Sequence, residues 1–256
     1  MGKIIAVVNQ KGGVGKTTTC VNTAAALTRA GRRVLLCDFD PQGNATSGFG
    51  VDKGVSPSIY DVVIGQMDAL RAIVRTPYGD VLPSNKALSG AEIELISVEA
   101  REYRLKAALD PLREDYDYIL IDAPPTLTLL TLQCLCAADT VLIPVQCEYY
   151  ALEGLSDLMF TIRKVRHALN RELEIEGLLL TMYDARLNLS LQVAEEVKRH
   201  FPEKLYRTAI PRNVRLSEAP SHGMPVQYYD RLSRGADCYD KLAEEILAQN
   251  TPEKEA

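Results

Sequence analysis

Residues 9–19 read "NQKGGVGKTTT". They follow "KIIAVVN" (3–9), a short apolar run of the kind that forms a buried strand, and lead into the helix-favouring stretch "TTTCVNTAAALTRA" (17–30). A glycine-rich turn between strand and helix lets backbone N–H groups point at phosphate oxygens, because glycine reaches positive φ and has no Cβ to block the approach. In the common phosphate-loop pattern, G-x-x-x-x-G-K-[ST], Lys16 reaches the β- and γ-phosphates and the Thr17 hydroxyl holds Mg²⁺. Two features depart from that pattern: Gln10 stands where its first glycine is expected, and Lys11 stands beside it. A plain tight turn would account for the glycines but not for lysine and threonine at this spacing.

Outward from the loop, apolar runs alternate with helix-period segments. "RRVLLCDFD" (32–40) follows Gly31, a suitable helix cap, and "DVLPSN" (80–85) reads as a third strand. "YDYILIDAPP" (116–125), "DTVLIPVQ" (139–146) and "IEGLLLTMY" (175–183) are continuous apolar runs, the pattern of strands covered on both faces. Between them, "AEIELISVEAREYRLKAALDPL" (91–112), "LLTLQCLCAA" (129–138), 149–169 and "LQVAEEVKRHF" (191–201) carry helical spacing. This alternation predicts an α/β fold: a doubly wound, mostly parallel sheet with helices on both faces. One domain is expected over residues 1–248, with a disordered tail at 249–256.

Carboxylates stand where a nucleotide site would need them. Asp122 ends the strand "YILID", as expected of a residue that holds a metal's water shell, and "CDFDPQGN" puts Asp38 and Asp40 at the end of the second strand. Each could instead be a solvated turn residue; beside a phosphate loop the functional reading is preferred.

Composition narrows the class. With 256 residues, 46% hydrophobic and 25% charged, the chain is that of a globular protein with a sizeable core. Six cysteines without a C-x-x-C pair speak against a disulfide framework or zinc site, and no apolar run reaches the ~18 residues of a membrane span. With no signal-peptide pattern at the start, a cytoplasmic protein is expected. A net charge of −5 argues against a chain wrapped in nucleic acid, although not against a local basic patch.

"KGGVGKTT", "CDFDPQGNATSGFG", "IDAPP", "PVQCEYYALEGL", "TMYDARLNLS" and "PRNVRLSEAPSHGMPV", in this order, closely resemble the ParA/Soj chromosome-partitioning ATPases of the deviant Walker A (SIMIBI) class, over residues 1 to about 248. The resemblance implies that Lys11 is the signature lysine, reaching the partner's phosphates in an ATP-bound homodimer, and that Gly12, Gly13, Val14, Gly15, Lys16, Thr17 and Thr18 wrap the nucleotide. It implies that Asp40 orients the attacking water, that Asp38 and Asp122 stand behind the Mg²⁺ that Thr17 ligates, and that Pro211, Arg212 and Asn213 face the adenine. It also implies non-specific DNA binding through Arg186 and Arg215, slow hydrolysis stimulated by a ParB-type centromere-binding partner, and a nucleoid-associated location. Phosphoryl transfer rests on positioning and charge neutralisation, so a lysine supplied by a second chain links nucleotide state to dimerisation.

Three rival readings fit the residues less well. A MinD-like membrane-positioning ATPase needs a basic amphipathic C-terminal helix, whereas "KLAEEILAQNTPEKEA" is acidic. An iron–sulfur reductase needs cysteines facing one cluster, and Cys134 and Cys136, two apart on a helix, point to different faces. A kinase or ligase would need an acceptor pocket that no motif announces.

Overall fold

The computed structural model describes residues 1–250. Eight strands form one sheet in the order β3-β4-β2-β5-β1-β6-β7-β8: β1 (Lys3–Val7), β2 (Val34–Asp38), β3 (Val74–Thr76), β4 (Gly79–Leu82), β5 (Tyr118–Asp122), β6 (Thr140–Gln146), β7 (Glu174–Tyr183) and β8 (Ile210–Pro211). All neighbours are parallel except the β3–β4 hairpin at one edge. The doubly wound α/β expectation is met.

Side chains along each strand alternate between two cores, one on each face of the sheet. Ile4 and Ala6 of β1 join Leu35, Ile119 and Ile121 on one face. Ile5 and Val7 join Leu36, Leu120 and Leu142 on the other. Helix Lys16–Arg29 and helix Arg234–Asn250 cover the second face, placing Ala24 and Leu27 against the same core as Leu242 and Ile246. Helices Leu129–Ala137, Ala151–Ala168 and Asn188–His200 cover the first, through residues such as Leu130, Leu158 and Val197. Two covered faces are why the strands read as unbroken apolar runs.

Several elements differ from expectation. The helical spacing over 91–112 is cut into helix Leu88–Glu94, a 3-10 turn at Arg101–Tyr103, helix Arg104–Leu109 and a further 3-10 turn. Ala100 takes a left-handed φ of 52° at the break, and Ile93 and Ile96, part of the predicted stripe, face outward. The short edge strands β3 and β8 were not foreseen. The last helix continues to Asn250, two residues past the expected boundary; the remainder of the predicted tail, 251–256, lies outside the described residues. Among the described residues no helix is long and apolar enough to cross a membrane, no group of His, Cys, Asp and Glu is arranged to grip a metal directly, and all six cysteines are free and buried.

The chain passes from β1 through helix Lys16–Arg29 to β2, and β5 inserts between those two strands before the chain crosses to β6 on the far side of β1. The carboxyl ends of β1, β2 and β5 therefore open onto one crevice, the usual ligand position of such a sheet. Register puts Asp38 of β2 opposite Asp122 of β5, and Asp122 opposite Val7 of β1.

Candidate functional site

The loop after β1 needs glycine at two positions for its backbone alone: Gly13 has φ 76° and Gly15 φ 90°, in the left-handed region. Gly15 caps helix Lys16–Arg29, accepting from Thr19 N at 2.8 Å. A Cβ on Gly12 or Gly13 would meet nothing of the chain within 4 Å, so the open side of the loop is free for a ligand to lie against the backbone. The Thr181 hydroxyl donates to Val14 O at 2.8 Å and ties the loop to β7.

Lys16 is 7% exposed, and its Nζ donates to Lys11 O at 3.0 Å. Burial lowers its pKa, while the charges of Asp122 and Asp40 oppose that shift and so place both carboxylates within electrostatic reach. Lys11 N donates to Asn9 Oδ1 at 3.0 Å, and its ammonium meets Glu148 at 2.6 Å.

The three carboxylates have distinct surroundings. Asp38, fully buried, accepts from Thr46 N and the Thr46 hydroxyl, both at 2.7 Å, and from Asp40 N at 3.2 Å. Burial pushes its pKa up to about 6 in spite of those bonds. Asp40 turns one oxygen to Gln42 N at 2.9 Å. Asp122 is equally buried, and no donor besides the neighbouring Thr17 hydroxyl engages its oxygens. Its carboxyl is pushed well up, first by burial and then by Asp38, while the Thr17 hydroxyl and the Lys16 charge pull the other way. A buried carboxyl pair with one member engaged by nothing but a threonine hydroxyl fits a hydrated divalent cation.

Beside the loop a cavity of about 430 Å³ is bordered by Gly15, Thr18, Met182, Pro211, Arg212, Asn213 and Tyr239. The sequence-predicted adenine residues thus line a space continuous with the phosphate loop. Asn213 Oδ1 accepts from Arg215 N at 2.9 Å and caps helix Val214–Glu218, which leaves its amide group for other contacts. Thr181 and Met182 also line the cavity and were missed. Met182 sits at a β-bulge with φ 50°, in a motif read only for the arginine that follows it. A wider cleft of about 860 Å³ opens at the opposite, amino ends of the strands. Its Arg33 and Arg113 are already paired with Asp117 and Asp139.

Arg186 and Arg215 both face solvent. The Arg186 side chain is 89% exposed and grips Asp184 through two bonds of 2.9 and 2.7 Å, which hold that carboxyl down at about 2. Arg215 pairs with Glu218 at 2.8 Å and Asp230 at 3.1 Å. The structure therefore gathers Lys11, Lys16, Asp38, Asp40 and Asp122 into one crevice and leaves both arginines on the surface outside it.

A protein-family profile described as an AAA domain matches residues 2–175. The sporulation initiation inhibitor protein Soj of Bacillus subtilis is 58% identical over 97% of this chain and 99% of its own length. The chromosome partitioning protein ParA of Myxococcus xanthus is 50% identical over 98% of this chain and 90% of its own. The chain belongs to the Soj/ParA family. Among solved structures, a Mycobacterium smegmatis protein described as cobyrinic acid a,c-diamide synthase, with bound ATP analogue and magnesium, superposes with a TM-score of 0.86 at 38% identity, covering 97% of this chain and 96% of its own. The cell division ATPase MinD of Pyrococcus furiosus does so with a TM-score of 0.80 at 28% identity, covering 97% and 100%. Both likenesses place this Soj/ParA member among P-loop proteins of one architecture.

Proposed function

We propose that this Soj/ParA member hydrolyses ATP slowly, dimerises in the ATP state, binds DNA non-specifically as a dimer, and moves a chromosome or plasmid together with a ParB-type partner that stimulates hydrolysis. The observation that carries the reading is the crevice in which the buried Lys16, bonded to the Lys11 carbonyl, lies within electrostatic reach of Asp40 and the buried Asp122. Gly12 to Thr18 would cradle the phosphates, and Pro211, Arg212 and Asn213 the adenine. Thr17 would ligate Mg²⁺, with Asp122 and Asp40 accepting from its water shell and Asp38 bracing Asp40 through the backbone bond. The cation neutralises phosphate charge when bound. Asp40 would orient a water towards the γ-phosphorus, and Lys16 would offset the charge gathering on the phosphate oxygens. Lys11 would do the same for the partner's nucleotide.

Two other readings receive less support. The apolar face of helix Arg234–Asn250 is engaged by the core through Tyr239, Leu242 and Ile246, so that face is not free to lie on a bilayer as a MinD-like protein would require. The M. smegmatis likeness raises a ligase, which would join ATP cleavage to an amide product. Product analysis decides: ATP with Mg²⁺ should give ADP and free phosphate with no added acceptor, faster when DNA and a ParB-type partner are present. Cleavage that waits for a carboxylic acid and ammonia donor would contradict the proposal.

A further inference from the structure

Both loop lysines are held by the chain itself. Lys16 bonds the Lys11 carbonyl, and the Lys11 ammonium lies 2.6 Å from one Glu148 oxygen. Glu148 sits in the turn between β6 and helix Ala151–Ala168, and its other oxygen accepts from the amide of Gln146, which is buried at the end of β6. The same strand end steadies the backbone under Lys11, since Asn9 Nδ2 donates to Pro144 O at 2.7 Å while Asn9 Oδ1 accepts from Lys11 N at 3.0 Å. Adjacent strands β1 and β6 thus fix one lysine at its backbone and at its tip. The ion pair is nevertheless open to water, at 38% and 42% side-chain exposure.

We infer that Glu148 is a positioning residue that holds Lys11 in its own subunit and competes with the partner's phosphates for it. The inference rests on the proposed role of Lys11 in the partner's site. A lysine ammonium is a compact charge on a flexible stem and can satisfy the Glu148 carboxylate or a phosphate across the interface, but engaging the second means loosening the first. A buried pair would resist that exchange; a half-exposed one shifts an equilibrium only about two- to fivefold. Each dimer releases two such pairs, so the carboxylates together weaken ATP-driven association by about four- to twenty-five-fold. The Gln146 amide keeps Glu148 aimed at the loop, which accounts for a buried glutamine at the end of a mainly apolar strand.

The test is the ATP-dependent dimer constant of the full chain by sedimentation, for wild type, Glu148→Gln, Glu148→Asp, Lys11→Ala and the Lys11→Ala/Glu148→Gln pair. Glu148→Gln should tighten the ATP dimer by about four- to twenty-five-fold and leave the ADP form monomeric. Glu148→Asp, which keeps the charge, should stay within about threefold of wild type. In the Lys11→Ala background the Gln substitution should change nothing. Unchanged or weaker dimerisation of Glu148→Gln, with Lys11→Ala still abolishing the dimer, would overturn the inference alone. Normal dimerisation of Lys11→Ala would overturn the role of Lys11 beneath it. Glu148→Ala serves as a second variant if the Gln form melts early.

Discussion

The loop after β1 and the loop after β7 both leave the carboxyl edge of the same sheet, and they are built in opposite ways. In the first, Lys16 is buried, Val14 is bonded to β7, and the carboxylates around it come from two other strands. In the second, Arg186 stands in solvent and its partner, Asp184, is two residues away. The contrast teaches where each function can be altered. Groups around the phosphate loop are cross-braced by the sheet, so their chemistry depends on the fold. The arginine surface is a set of local ion pairs whose sign can be changed without disturbing the core.

The largest expected effect falls on the braced loop. Lys11→Ala removes two charge-assisted contacts per dimer and should weaken ATP-dependent dimerisation by about a hundredfold or more, while nucleotide binding to the monomer changes less than about threefold. Titration with a fluorescent ATP analogue, alongside sedimentation, checks both halves. A loss of nucleotide affinity equal to the loss of dimer would break the separation of roles between Lys11 and Lys16.

The open surface should respond more mildly and with a salt signature. If an ATP dimer neutralises about four phosphates, the slope of log affinity against log salt is near −3.6, about a hundredfold loss between 50 and 200 mM. Arg186→Glu removes about two of those contacts and should halve the slope to near −1.8, with ATP hydrolysis unchanged in the absence of DNA. Equal DNA retention by wild type and variant would remove Arg186 from the interface.

The smallest effect concerns stability and sharpens the reading of Asp122. Its folded pKa is raised, so ionising it in the fold is costly: stability falls as pH rises from the unfolded carboxylate range towards the folded pKa. Asp122→Asn lacks that loss. The nucleotide-free variant should melt a few degrees above wild type at pH 8, with the gap closing as pH approaches ~4. Added ATP and Mg²⁺ should stabilise the variant less than wild type. Melting curves across pH, with and without nucleotide, check the sign.

Much of this was legible in the sequence where local pattern and tertiary structure agree. Glycine spacing fixes the phosphate loop because the backbone demands it at Gly13 and Gly15, and continuous apolar runs reveal β1, β5 and β6 because both faces are covered. Features that depend on distant contacts were not legible. The pairing of Lys11 with Glu148, 137 residues on, has no local signal, nor does the left-handed Met182 that borders the cavity beside the phosphate loop. The helical spacing over 91–112 misled, because Ile93 and Ile96 repeat at helical intervals without being buried. Asp38 and Asp122 look alike as strand-end carboxylates; only the structure distinguishes the one held by both the backbone and the hydroxyl of Thr46 from the one with only the Thr17 hydroxyl beside it.

On the proposed function, ATP in this crevice makes the dimer and hydrolysis through Asp40 dissolves it. Sedimentation of wild type and Asp40→Ala in ATP with Mg²⁺ and in ADP with Mg²⁺ tests it most directly. Asp40→Ala should form a dimer that persists in ATP, wild type a transient one, and both should be monomers in ADP. Monomers in every condition, or dimers indifferent to the nucleotide, would contradict it.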